Sequence, residues 1–166
     1  MVWYGEQAAV KMGTALASVS TADTLWEQVS GTDYSGECKE VTINPGEAGV
    51  DVLNVYGDQL LEEKRPELVT ADFTMVFTDV DIWGETGWSS ETAPSGFTRY
   101  KGTDNTGSRS AKAIVFKLSS SSSTVNVLMN NAYITAQGQI TLAADGSAEQ
   151  TFSAVCKLED FYVESS

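Results

Sequence analysis

The sequence predicts an all-β sandwich or barrel with one short flanking helix, a prediction resting on three observations. Apolar and polar residues alternate with a period of two through most of its apolar segments. Turn-forming residues fall between those segments at the spacing of short strands. Thr, Val, Ile and aromatic residues, which suit a pleated half-buried surface, dominate the same runs.

In chain order, residues 1–12 read as an N-terminal arm, because aromatic residues precede any clear strand. Thr14–Val19 and Thr24–Ser30 read as strands. The composition of Thr21–Gln28 also allows a helix, but the short gap after Ala15–Ser20 favours a hairpin strand carrying Trp26. Glu37–Asn44 ends at the tight turn Asn44-Pro45-Gly46 and leads to Val50–Tyr56. Gly31, Gly57 and Gly138 punctuate the pattern.

Gly57 to Glu67 reads as a charged loop with acids, bases and a leucine pair but no catalytic group. The strand Leu68–Val80 follows. Val69, Ala71, Phe73, Met75 and Phe77 face a core, and Thr70, Asp72, Thr74 and Thr78 face water. Asp79–Trp88 is the one helix candidate, interrupted by Gly84. Residues 88–111, rich in Gly, Ser and Thr, form a long loop of the kind that is normally functional or mobile.

Lys112–Leu118, Thr124–Met129 and Tyr133–Leu142 are further strands, the first two joined by the serine tract Ser119–Ser123. After the Asp145-Gly146 turn, Phe152, Ala154, Cys156 and Leu158 face one way, and Glu149, Thr151, Ser153 and Lys157 the other. No repeat or composition shift divides residues 1–166, so one domain is expected.

Composition limits the function. The 166 residues are 42% hydrophobic, enough for a sizeable core. With 23 acids against 10 bases the net charge is −13. Such a chain lacks the clustered Lys and Arg that bind nucleic acid by neutralising phosphates. The charge also reads as a plain solubility device. There is no histidine, which removes the commonest general base and metal ligand. Cys38 and Cys156 lack metal or redox spacing. The start has no basic region followed by an apolar one, so cytosolic synthesis with free thiols is expected. No apolar run reaches the ~18 residues of a membrane helix.

Little chemistry remains. Asp79 with Asp81, and Glu62 with Glu63, are carboxylate pairs of a kind any acidic protein carries. Thr103-Asp104-Asn105-Thr106-Gly107 has too few carboxylates for a calcium loop and reads as a polar turn. Neither phosphate-cradling glycine motif occurs, so no cofactor, metal or catalytic residue is expected. Trp3, Trp26, Trp83 and Trp88, with Phe97 and Tyr100, fit either a sugar-stacking platform or core plugs and interface anchors. Trp3 and Tyr4 at one end, and Phe161 and Tyr162 at the other, fit arms that a neighbouring subunit buries, or ends that dock on their own domain. Open sheet edges would likewise be protected by pairing identical subunits into a ring.

The strings WEQVSG, KEVTINPGEAG and VYGDQLLEEKRPELVTADFTMVFTD, with the closing AYITAQGQITLAADGSAEQTFSAVCKLEDF, resemble tail tube (major tail) proteins of long-tailed phages and archaeal tailed viruses. The likeness covers most of the chain; residues 88–110 match nothing in it. It implies a β-sandwich with a flanking helix, assembled as hexameric rings stacked into a hollow tube that conducts the viral genome.

On that resemblance Gly57, Asp58, Gln59, Leu60, Leu61, Glu62, Glu63, Lys64 and Arg65 would form an inter-ring loop. Thr70, Asp72, Thr74 and Thr78 would face the lumen. The partners implied are further copies of the chain and other tail proteins (baseplate or tip, terminator, tape measure). DNA would pass without sticking. The protein would assemble in the host cytoplasm and reside in the virion tail. A carbohydrate-binding β-sandwich and a capsid decoration protein are the alternatives.

Overall fold

A computed structural model describes residues 7–34, 38–45, 50–55, 58–64, 68–77, 81–102, 110–142, 144 and 148–166. In chain order the elements are β1 (Gln7–Thr14), α1 (Leu25–Gln28), β2 (Gly31–Asp33), β3 (Cys38–Asn44), β4 (Val50–Val55), β5 (Asp58–Lys64) and β6 (Leu68–Phe77). They continue with α2 (Ile82–Glu85), β7 (Ser89–Glu91), β8 (Arg99–Lys101), β9 (Lys112–Ser119), β10 (Thr124–Gln137), β11 (Ala148–Lys157), a 3-10 turn (Leu158–Asp160) and β12 (Phe161–Ser165). The fold is all-β, as the alternation predicts.

Eight strands form one antiparallel sheet in the order β2-β1-β9-β10-β11-β6-β3, with β12 also on β10. β10 is the hinge of this arrangement. Its first half pairs with β9 and β12, and Tyr133–Gln137 pairs with β11. The register against β9 shifts across Asn130–Asn131, where Asn131 takes φ 48°, and the register against β11 shifts between Ile134 and Ala136. A bulge of this kind bends a strand and raises its twist. The sheet curls so far that β3 comes to lie near β1.

The concave side holds the main core. Val69, Ala71, Phe73 and Met75 of β6 and Phe152, Ala154 and Cys156 of β11 are buried there, with Val10, Met12, Ile114 and Phe116. The Phe73 ring lies 5.5 Å from Phe116 edge-on and 5.7 Å from Phe152 stacked. Truncating Phe73 to alanine removes both contacts, a change that costs about 3–5 kcal/mol in such cores.

β9 is buried on both faces. Ala113 and Val115 point outward, where Leu25 and Val29 of the α1 region cover them together with Leu128. That double burial explains the unbroken apolar run Ala113–Phe116, which a one-sided strand would not show.

Several expectations need correction. The arm of residues 1–12 is strand from Gln7 onward, and the strand expected at Thr14–Val19 ends at Thr14. Ala8, Val10 and Met12 alternate with Gln7, Ala9 and Lys11, and pairing with β9 fixes them. Glycine is required where β1 meets β2, because a Cβ on Gly31 would fall 1.8 Å from the Met12 carbonyl oxygen. The segment Thr24–Ser30 holds the short helix α1 (Leu25–Gln28) instead of a strand. Thr24 Oγ1 accepts the Glu27 N–H and Glu27 Oε2 accepts the Thr24 N–H, a capping box that closes the first turn.

The charged loop at Gly57–Glu67 is largely strand β5, paired with β4. Residues 88–111 are not all loop, since β7 and β8 form a short hairpin within them. Thr124–Met129 and Tyr133–Leu142 are one strand that stops at Gln137. The chain end, open between an arm and an end docked on its own domain, is β12, laid along β10.

Candidate assembly site

The convex side of β3, β6 and β11 is a polar surface, and the alternation of β6 creates it. Each residue that points into the core leaves its neighbour outside, so Thr70, Asp72 and Thr74 line up on the outer face as expected. Register supplies their neighbours. Glu40, Thr42 and Asn44 stand opposite Thr74, Asp72 and Thr70 on β3, and Thr151, Ser153 and Val155 stand opposite the same three on β11.

The side chains tie the strands together. Thr74 and Thr151 share a hydrogen bond of 2.9 Å between their hydroxyls, and Ser153 donates from Oγ to Asp72 Oδ1. Thr135 Oγ1 donates to the Ser153 carbonyl at 3.3 Å. The register positions given above carry hydroxyls, an amide, one valine and two carboxylates, but no base. Lysines stand only at the ends of β3 and β11, each beside a carboxylate: Lys39 at 3.0 Å from Glu149 and Lys157 at 3.7 Å from Glu159. Among the described residues this face offers water-like hydrogen bonding and negative charge, and each of its two lysines stands beside a carboxylate.

The β4–β5 hairpin is the second feature. It forms a two-stranded sheet of its own, apart from the eight-stranded sheet. Asp58 to Lys64, expected as a contact loop, supply its second strand, with Leu53 opposite Leu61 and a register shift next to that pair. Gly57, Arg65, Thr78, Trp3 and Tyr4 lie outside the described residues, as do Asp79 and the polar turn Thr103–Gly107.

The C-terminal aromatics divide. Phe161 packs on the main core opposite Met129, while Tyr162 on the other face remains 37% exposed. Val163 is 61% exposed. The described tryptophans do not gather into one platform. Trp83 and Trp88 lie 4.8 Å apart beside α2, where Trp83 Nε1 donates to Gln150 Oε1 at 3.1 Å. Trp26 sits on α1 with the ammonium groups of Lys11 and Lys117 at 4.4 and 5.1 Å from its ring.

Both thiols are buried in the main core and free. Burial pushes each up to about 11 from an ordinary 9.0; for Cys156 the nearby Asp160 carboxylate adds to the rise. Among the described residues no group of three Cys, Asp or Glu is placed to hold a metal ion. No helix among them is long and apolar enough to cross a membrane.

Two of these features differ in how far the sequence announces them. The α1 capping box has a signal in Thr24-x-x-Glu27, which reads as a helix start. The grouping of Lys11 and Lys117 around Trp26 had none, because it depends on the β1–β9 register.

No protein-family model and no curated protein sequence matches the chain. Among solved structures it is similar to a chain of an extracellular contractile injection system, the PVC sheath–tube complex in its extended state. That alignment covers 95% of this chain and 88% of the other at 11% sequence identity, with a TM-score of 0.44.

Proposed function

We propose that the chain is a non-enzymatic structural subunit that polymerises into a viral tail tube of stacked hexameric rings. The polar face of β3, β6 and β11 lines its channel, and the β4–β5 hairpin grips the next ring. One observation carries this reading: the hairpin stands apart from the main sheet. A two-stranded hairpin alone is marginal in water, so it calls for a neighbouring surface. The base-free hydroxyl and carboxylate face supports the channel assignment, since DNA slides best past a wall that releases no counterions to bind it. The resemblance of the sequence strings to tail tube proteins agrees with both.

Negative-stain electron microscopy of the purified protein tests the reading. Rings or tubes of uniform diameter are expected. A monodisperse monomer at high concentration would overturn it.

A further inference from the structure

The two small hairpins leave the main sheet at opposite ends of β6. β4–β5 is inserted between Asn44 of β3 and Leu68 of β6, and Asn44 is the register partner of Thr70. It therefore departs from the Leu68 end. β7–β8 belongs to the other end. α2 follows β6 in the chain, and Trp83 of α2 donates to Gln150, whose register partner on β6 is Met75. β8 in turn packs on α2, since a Cβ on Gly84 would fall 3.0 Å from the Tyr100 hydroxyl. Leu68 and Phe77, the ends of β6, are roughly 30 Å apart at the rise of a strand.

β7–β8 carries groups suited to a protein partner. Phe97 is 75% exposed near its tip, where its N–H closes a turn onto the Pro94 carbonyl at 3.0 Å. Tyr100 turns toward α2, so its strand neighbours Arg99 and Lys101 point away from α2 and are exposed. Lys101 lies 3.7 Å from Glu91, whereas Arg99 pairs with no carboxylate among the described residues. The two strands thus hold two bases against one acid, in a chain whose net charge is −13. Aromatic and arginine side chains are the usual anchors of protein interfaces.

The hairpin at the opposite end has the complementary composition. Its strands contain Asp51, Asp58, Glu62 and Glu63 against Lys64 alone, together with the Leu60–Leu61 pair. In a stack aligned along β6, one copy's β4–β5 faces the next copy's β7–β8. A contact between two unlike surfaces is heterologous, the kind that propagates through a polymer.

We infer that β7–β8 is the receiving surface for the β4–β5 hairpin of a second copy of this chain. Phe97, Arg99 and Lys101 supply one side of the contact, and the acidic, leucine-bearing strands supply the other. This inference rests on the assembly reading and names the surface that the hairpin grips.

Charge swapping tests it, with pelleting assays that give the critical concentration for assembly. Arg99→Glu with Lys101→Glu should raise that concentration at least about tenfold, because like charges then meet across the contact. Glu62→Lys with Glu63→Lys should do the same. All four substitutions in one chain should bring assembly back to near the native level, a rescue that mere damage to either hairpin would not give. Circular dichroism reports whether each variant keeps its fold. Should a charge variant unfold, Phe97→Ser at the exposed tip carries the test, and it too should raise the critical concentration. Native-like assembly of Arg99→Glu with Lys101→Glu would overturn the receiving surface and leave the tube reading intact. So would a folded four-fold variant that fails to assemble. A native chain that never assembles would overturn both.

Discussion

Asn130 holds Leu16 as a neighbouring strand would. Its Oδ1 accepts the Leu16 N–H at 2.8 Å and its Nδ2 donates to the Leu16 carbonyl at 2.9 Å, across 114 positions of sequence. The segment after β1 has left the sheet at this point, so one side chain supplies the donor and acceptor that a strand would have offered. Asn130 itself is only 4% exposed and stands at the bulge of β10. Leu16 and Val19 thereby stay packed against the small cluster of Leu25, Val29, Ala113, Val115 and Leu128.

Asn130→Ala is therefore expected to lower stability by about 2–3 kcal/mol, because it leaves two part-buried backbone groups without partners. Urea unfolding monitored by circular dichroism measures this. A loss below about 0.5 kcal/mol, the size of a neutral surface change, would mean that water replaces the amide.

The hairpin prediction concerns assembly. Deleting Leu60–Lys64 removes most of β5, while the eight-stranded sheet keeps every strand. The shortened protein should fold with an unchanged far-ultraviolet spectrum apart from the lost strand, and should form no tubes. Tubes of normal length in electron micrographs would remove the hairpin from the inter-ring contact.

The polar face makes a prediction about DNA. The native protein should show no measurable affinity for duplex DNA at moderate salt. The double substitution Thr70→Lys and Asp72→Lys places two ammonium groups on β6 and removes one carboxylate. Filter binding should then detect salt-dependent association, its dependence steepened in proportion to the phosphates neutralised. Tight binding by the native chain would contradict a channel wall that lets DNA slide.

The buried thiols give a pH dependence with a definite sign. The folded state holds the Cys38 and Cys156 protons more tightly than the unfolded chain does, so rising pH favours unfolding. Their contribution is fully present below the ordinary thiol value of 9.0 and is lost as pH climbs toward about 11. Over that window the native chain should lose more stability than the double variant Cys38→Ala, Cys156→Ala. Equal losses in denaturant titrations would show that both thiols ionise freely in the folded protein.

How far the fold was legible depended on where each element gets its information. β6 and β11 carry theirs internally: strict alternation from Val69 to Met75, and from Phe152 to Cys156, marks the buried face residue by residue. The outward position of Thr70, Asp72 and Thr74 was legible for the same reason. β5 was not, because Asp58–Lys64 contains no β-branched residue, and its extended form comes from pairing with Val50–Val55. β1 was missed since Ala, Lys and Met are weak strand formers that a central partner overrides. Trp26 drew attention to a strand where Thr24 and Glu27 encode a helix start. The grouping of Lys11 and Lys117 around Trp26 joins residues from three elements, and no local pattern announces such a meeting.

The length of β10 has a consequence for how the molecule comes apart. Its fourteen residues serve two neighbourhoods, with β9 and β12 gripping one end and β11 the other. Neither neighbourhood can melt while the other keeps its shared strand in place, so the sheet should lose its order in a single cooperative step. Amide protons along β10 on both sides of Asn130–Asn131 should then exchange with one common, global free energy, uniting two sub-sheets that a looser joint would have let fail separately.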